Sequence, residues 1–243
     1  MIIKDQNRPY IAAGLIILIS LGFAGYRAFK GSPLSPAREE AIAIHEFQNG
    51  QGREAAPLFK QLAAKDDSTA EYYLGEMYRL GDGVPRSGPE AVKWLTRAAE
   101  AGNTEAARQL GLLYLNGDDA VQDLSKARHW FNQAALHQDA IALRHLGTMN
   151  AQGLAGPADP ILAYADYAAA AYEGDSVAVD LRDRQALSLT AEEQAHAESL
   201  ARTLTKRDAA PARAAATSSA HTGTPAHTTA PSGTASHTAQ AQR

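Results

Sequence analysis

Residues 70–84 read AEYYLGEMYRLGDGV, and the same frame returns as AARQLGLLYLNGDDA at 106–120 and as ALRHLGTMNAQGLAG at 142–156. Leu74-Gly75, Leu110-Gly111 and Leu146-Gly147 lie 36 residues apart, as do Gly81, Gly117 and Gly153. Tyr78 and Tyr114 share a column, and so do Trp94 and Trp130. Ala91, Ala127 and Ala163 recur at the same period, followed by Ala98-Ala99, Ala134-Ala135 and Ala170-Ala171. Several fixed columns at one period of this length identify stacked supersecondary units.

Each unit reads as two helices. Over 69–80, Ala70, Leu74, Met77 and Tyr78 fall on one stripe at helical spacing. Gly81 is placed to end that helix in the left-handed conformation. Gly83, Pro85 and Gly88 form the connection, and Pro89 suits the first turn of a second helix over 89–101. That helix turns Ala91, Trp94, Leu95 and Ala98 inward. The reading makes Gly75 a site of close helix approach and Trp94 a buried wedge beside the alanine columns.

The array continues outward. Residues 37–48 and 53–64 form a degenerate pair, since Ala55 and Ala63 precede Ala91 and Ala99 by 36. Residues 176–187 form a weaker helix. Thr190 and Glu193 make a capping box before a charged closing helix, as a polar array end requires.

The pattern A-x3-LG-x2-Y-x2-G-x-GV … A-x2-W-x3-AA-x2-G, carried by Ala70, Leu74, Gly75, Tyr78, Gly81, Gly83, Val84, Ala91, Trp94, Ala98, Ala99 and Gly102, resembles the Sel1-like repeat, a relative of the tetratricopeptide repeat. The clear units are 69–104, 105–140 and 141–176. The third departs from the pattern with Asn150 in place of Tyr and Asp166 in place of Trp, and the second has Asp119 and Gln138 in place of glycines. These departures are expected to weaken individual packing contacts. The resemblance implies an all-α fold, a right-handed α-solenoid of helical hairpins over 36–208 with a concave wall lined by the first helix of each pair.

Two further zones flank the array. Between Arg8 and Arg27 no residue is charged, and the apolar span 10–29 is about 30 Å long as a helix, enough to cross a bilayer. Tyr10 and Tyr26 sit at its ends. The reading is a leader over 1–9, a transmembrane helix over 10–29 and a linker over 30–35. A cleaved secretory signal with Gly22-Phe23-Ala24 as its site is the alternative. Basic residues on both sides leave the positive-inside count undecided. A short leader before one span and a large domain favours export, placing the solenoid in the periplasm of a bacterium as a single-pass inner-membrane protein. Residues 209–243 hold 12 Ala, 7 Thr, 4 Ser and 3 Pro with no acidic residue, a composition that reads as a disordered tail.

Composition excludes several chemistries. The chain of 243 residues has no cysteine, so disulfide frameworks, zinc–thiolate sites and cysteine nucleophiles are absent. The net charge of −4 lacks the basic excess of a nucleic-acid binder. No Walker, Rossmann, G-x-S-x-G or H-E-x-x-H pattern occurs, and His129, His137 and His145 fall on different helices. Neither a cofactor, a metal nor a catalytic group is assigned. A hydrolase reading, drawn from cysteine-rich relatives of the repeat, fails on the missing cysteines.

The candidate site is therefore the groove that the resemblance implies. Three residues before each repeat glycine stand Tyr72, Arg108 and Arg144. Glu76, Arg79 and Asn116 complete the expected partner-binding set, and Leu80, Leu112, Leu115, Thr148, Ala151 and Gln152 share its positions. Tyr and Arg carry interface energy, and Arg in register can grip carboxylates. The expected function is a membrane-anchored adaptor for a protein or peptide partner. A carbohydrate or peptidoglycan binder is the alternative, with Tyr72 and Tyr73 as its exposed aromatics.

Overall fold

The computed structural model describes residues 35–205, and these fold into ten α-helices. They are α1 (Pro36–Gln48), α2 (Gly52–Ala63), α3 (Ser68–Leu80), α4 (Gly88–Glu100), α5 (Thr104–Asn116), α6 (Leu124–Ala135), α7 (Ala140–Gln152), α8 (Pro160–Tyr172), α9 (Ser176–Ala186) and α10 (Ala191–Leu204). Every described element is helical, as an all-α array of hairpins requires. The proposed span 10–29 and the tail 209–243 lie outside the described residues. Among the described residues no helix is long and apolar enough to cross a membrane.

The period is written into the helix starts. First helices begin at 68, 104, 140 and 176, and second helices at 52, 88, 124 and 160. A column of capping side chains fixes these starts. Asp67, Asn103 and Asp139 accept from the backbone N–H groups of Ala70, Ala106 and Ala142, and Asp175 accepts from Val177 and Ala178. Ser87, Asp123 and Asp159 do the same for Glu90, Lys126 and Leu162. Each bond satisfies a helix donor that has no intrahelical partner. Thr190 and Glu193 form the expected capping box on α10.

A second periodic bond closes each hairpin. The backbone N–H groups of Ser87, Asp123 and Asp159 donate to the carbonyls of Tyr78, Tyr114 and Asn150, all at 2.9 Å. Because this bond uses only backbone, it survives the change from Tyr to Asn in the third unit. Gly81 ends α3 and Gly153 ends α7 in the left-handed conformation.

The described residues divide into two compact units, 35–110 with 117–121, and 111–116 with 122–205. In the first, Ala43, Ala55, Phe59, Leu62, Ala63, Ala70, Leu74 and Met77 form the core. Phe59 stacks on Tyr73 with ring centroids 5.1 Å apart, and Phe47 meets both edge-on. In the second, α8 is buried from Leu162 to Ala170 and packs against α7, α9 and α10. A helix covered on several sides reads as apolar all round, which explains why its sequence shows little amphipathic pattern.

Three expectations change. The wedge beside the repeat glycine is the residue after Trp94. A Cβ on Gly75 would lie 2.7 Å from Leu95 Cγ, one on Gly111 would lie 2.5 Å from the Phe131 ring, and one on Gly147 2.6 Å from the Tyr167 ring. Leu95, Phe131 and Tyr167 are themselves 36 apart, so the large-on-small contact is a column of its own. Trp94 and Trp130 are half-buried. Trp94 Nε1 donates to Glu90 Oε2 at 3.2 Å, and Arg97 and Lys93 stand over its ring. An indole needs a partner for its N–H, and a helix-surface carboxylate supplies one where a sealed core could not.

The departures of the third unit do not weaken it in the expected way. Asn150 is 4% exposed and Asp166 is fully buried. Asn150 Nδ2 donates to Asp166 Oδ2 at 2.7 Å, while Arg128 donates to Asn150 Oδ1 and to the carbonyl of Leu154, each at 2.7 Å. The aromatic pair is replaced by a hydrogen-bonded one. Finally, Asp119 and Gln138 keep the positive φ of the glycines they replace. Each is tied by its side chain: Arg86 Nη2 lies 2.9 Å from Asp119 Oδ1, and Gln138 Nε2 donates to the carbonyl of Thr205 at 2.7 Å.

Candidate functional site

The six residues expected to bind a partner divide between the two units. Tyr72, Glu76, Arg79 and Arg108 belong to the first, and Asn116 and Arg144 to the second.

On α3 the strip Tyr72, Glu76, Arg79 and Leu80 follows helical spacing. Tyr72 is half-buried, and its ring meets the edge of Tyr73 at 5.2 Å. Burial pushes its hydroxyl up to about 12, with the Glu76 carboxylate adding in the same direction. Arg108 opposes that shift and Glu105 reinforces it, so Tyr72 and Glu76 of α3 share one electrostatic neighbourhood with Glu105 and Arg108 of α5. Tyr72 is therefore a neutral hydroxyl across physiological pH, able to donate or accept.

Glu76 and Arg79 grip each other. Arg79 Nε donates to Glu76 Oε1 at 3.0 Å, and Nη2 donates to Oε2 at 2.7 Å. This fork geometry holds both side chains on the helix and raises the Arg79 guanidinium further above its ordinary range. Leu80 follows as an exposed apolar residue, 54% accessible. The carbonyl of Arg79 accepts from Arg86 Nε, and Arg86 then reaches Asp119. The same brace recurs 36 residues on, where Gln122 Nε2 donates to the carbonyl of Leu115 at 2.8 Å.

Arg144 has an intramolecular task. Its Nε lies 2.6 Å from Asp175 Oδ2, while Asp175 Oδ1 caps α9. One carboxylate thus ties α7 to the start of α9. Beside it, His145 stacks on Phe131 with rings 5.0 Å apart and 8° from parallel. Burial holds the His145 imidazole below its usual range, and the neighbouring Arg144 charge lowers it further. Thr148 donates back to the Arg144 carbonyl and accepts from the Tyr167 hydroxyl at 3.2 Å. Asn116 is the exposed last residue of α5.

Sequence reasoning missed Glu105 and Asp175. The column 67, 103, 139, 175, with its Asp, Asn, Asp, Asp, was the available signal for the second. Tyr73, counted as an exposed aromatic, gives one ring face to Phe59. A ring committed in this way is a poor stacking platform for a sugar. Among the described residues no group of three or more His, Asp or Glu side chains could hold a metal ion.

The surface on α3 and the start of α5 can thus offer a neutral hydroxyl, an exposed leucine and carboxylate and guanidinium groups at fixed places. Such a set can bind a polypeptide.

Comparison with known proteins agrees with the geometry. The Sel1 repeat family matches residues 68–103, 104–139 and 140–175, the same frames in which the helices start. A Sel1 repeat protein from Oxalobacter formigenes, known from its crystal structure, is 32% identical with a TM-score of 0.56, covering 61% of this chain and 45% of its own. A protective antigen present in uropathogenic Escherichia coli strains and displaying an SLR fold is 20% identical with a TM-score of 0.50 over 84% of this chain and 51% of its own. The chain spans about half the length of these two solved proteins. No curated protein matches it. Residues 68–175 thus match the Sel1 repeat family as three successive helical hairpins.

Proposed function

We propose that the protein is a non-enzymatic scaffold that holds a protein or peptide partner on its first-helix surface, in an assembly of a bacterial envelope. Its anchor is the apolar span 10–29, which carries no charge before Arg27, and its repeats face the periplasm. The family found is a repeat family that serves protein interaction, and no enzyme family is found. The observation that carries the site is the grouping of Tyr72 and Glu76 with Glu105 and Arg108 on two first helices of one compact unit. Tyr and Arg in a partly desolvated patch are the residue types that dominate interface energy. Glu76 and Arg79 neutralise each other, so the surface does not select its partner by bulk charge.

Site-specific incorporation of a photo-crosslinking phenylalanine at position 72 tests this reading in the producing bacterium. Adducts to a discrete protein at position 72, absent when the probe replaces the exposed Lys60 of α2, support it. Identical adducts at both positions, or none at 72, overturn it. Alkaline-phosphatase fusions after residue 40 test the topology, with activity expected for an exported array and inactivity contradicting it.

A further inference from the structure

We propose that Arg128, Asn150 and Asp166 form a polar lock that fixes which repeat can follow the second one. In the three successive units the column of Asn150 reads Tyr78, Tyr114, Asn150, and that of Asp166 reads Trp94, Trp130, Asp166. The column of Arg128 reads Val92, Arg128, Tyr164. The second unit therefore turns a guanidinium toward the third at the very place where the third exchanges its two aromatics for an amide and a carboxylate. The structure joins these substitutions. Arg128 Nη1 meets Asn150 Oδ1 and Arg128 Nη2 meets the carbonyl of Leu154, while Asn150 Nδ2 meets Asp166 Oδ2.

The hydrogen bonds have a direction. Asn150 must present its carbonyl to the cation and its amino group to the carboxylate, so the amide orientation is set from both sides. Because Asp166 and Asn150 are buried, each loses its hydration and depends on these partners. A repeat carrying Tyr and Trp in those columns would meet Arg128 without the side-chain acceptor that Asn150 Oδ1 supplies. The first unit is such a repeat, so its hairpin, from the same chain or from a second copy, fits poorly after α6. An apolar set of equal volume would pack as well or better in the native order, since buried ionic groups seldom add net stability. What the polar set supplies is discrimination between repeats that are otherwise alike.

The test uses the full chain in detergent micelles, with urea unfolding read by circular dichroism at 222 nm. Arg128→Val is made in the native background and in the background Asn150→Tyr with Asp166→Trp, which restores the residues of the first unit. In the native background Arg128→Val should lower the folding equilibrium constant at least tenfold, because Asn150 Oδ1 and the Leu154 carbonyl lose their donor. In the exchanged background the same substitution should raise it at least tenfold. Should the exchanged chain fail to fold, a background of Asn150→Leu with Asp166→Leu replaces it, with the same opposite sign expected. An effect of Arg128→Val of the same sign in both backgrounds overturns the proposal.

Discussion

Leu95 and Gly75 make one contact whose energy can be worked from both sides. Leu95 is fully buried, and truncation of such a leucine to alanine costs about 2–5 kcal/mol through lost transfer energy and the cavity left behind. Gly75 lies in the middle of α3, where alanine would be favoured by about 1 kcal/mol on helix propensity alone. Space forbids that gain. A Cβ at 75 would stand 2.7 Å from Leu95 Cγ and 2.9 Å from its Cδ2. Forcing the leucine aside costs about 1–3 kcal/mol. Gly75→Ala alone should therefore be neutral to destabilising, by about 0–2 kcal/mol once propensity is subtracted. In a Leu95→Ala chain both clashing atoms are gone, and the nearest remaining neighbour is the backbone nitrogen of residue 95 at 3.2 Å. There the same Gly75→Ala change fills part of the cavity and should stabilise by about 1 kcal/mol. The double mutant should thus beat the sum of the singles by roughly 1–3 kcal/mol. Urea unfolding followed by circular dichroism measures all four corners of the cycle. Additivity within about 0.5 kcal/mol would refute the packing assignment.

Trp94→Ala should cost less than Leu95→Ala in the same assay, because Trp94 is half-buried and its indole N–H is bonded on the helix surface. Asp175→Ala removes two caps and the partner of Arg144 and should cost about 2–3 kcal/mol, whereas Asp175→Asn keeps a capping oxygen and should cost about half of that in a thermal melt. Arg97→Ala strands Glu71, whose side chain is 3% exposed, and should cost about 1–3 kcal/mol at neutral pH. Burial already raises the Glu71 carboxyl, so the folded state binds its proton more readily than the unfolded one. Stability from this group is present at low pH and falls as pH rises, and the Arg97→Ala deficit should shrink on acidification toward pH ~4, where a deficit that stays constant would exclude the mechanism. Tyr72 titrates near 12 against about 10 when unfolded, so stability should decline as pH rises across that interval, and Tyr72→Phe should remove part of the decline in a pH series of melts.

The hairpin array was legible because its columns are residue identities repeated at one distance. Leu74, Gly75 and Gly81 each have two copies, and the helices start within a residue of the frames those copies set. The capping column was equally periodic but changes identity between Asp, Asn and Ser, so a search for identical residues passed over it. Side-chain direction was harder. Trp94 and Leu95 are adjacent and both apolar, and periodicity alone does not say which one meets Gly75. The geometry does, through the shared position of Leu95, Phe131 and Tyr167. In the site, Arg144 was legible as a groove position but its partner was not, since Asp175 is 31 residues away and belongs to the next cap. Asn150 and Asp166 looked like decay of the pattern because their compensation lies in Arg128, one repeat earlier.

Caps, hairpin bonds and glycine contacts all keep the same interval, which constrains how such a chain can grow. A cassette of 36 residues inserted between Asn103 and Thr104 arrives with a cap for its own second helix, and its last residue becomes the cap of the helix that follows. Any other length leaves a helix start without its acceptor. The chain can therefore lengthen in whole quanta, as by unequal crossing-over between repeats, without a frustrated intermediate form. A copy of the first repeat entering after Asp139 is different, because it would part Arg128 from Asn150 and Asp166 and bring Val92 in its place. The junction between the second and third repeats thus accepts a unit that brings its own arginine in the column of Arg128.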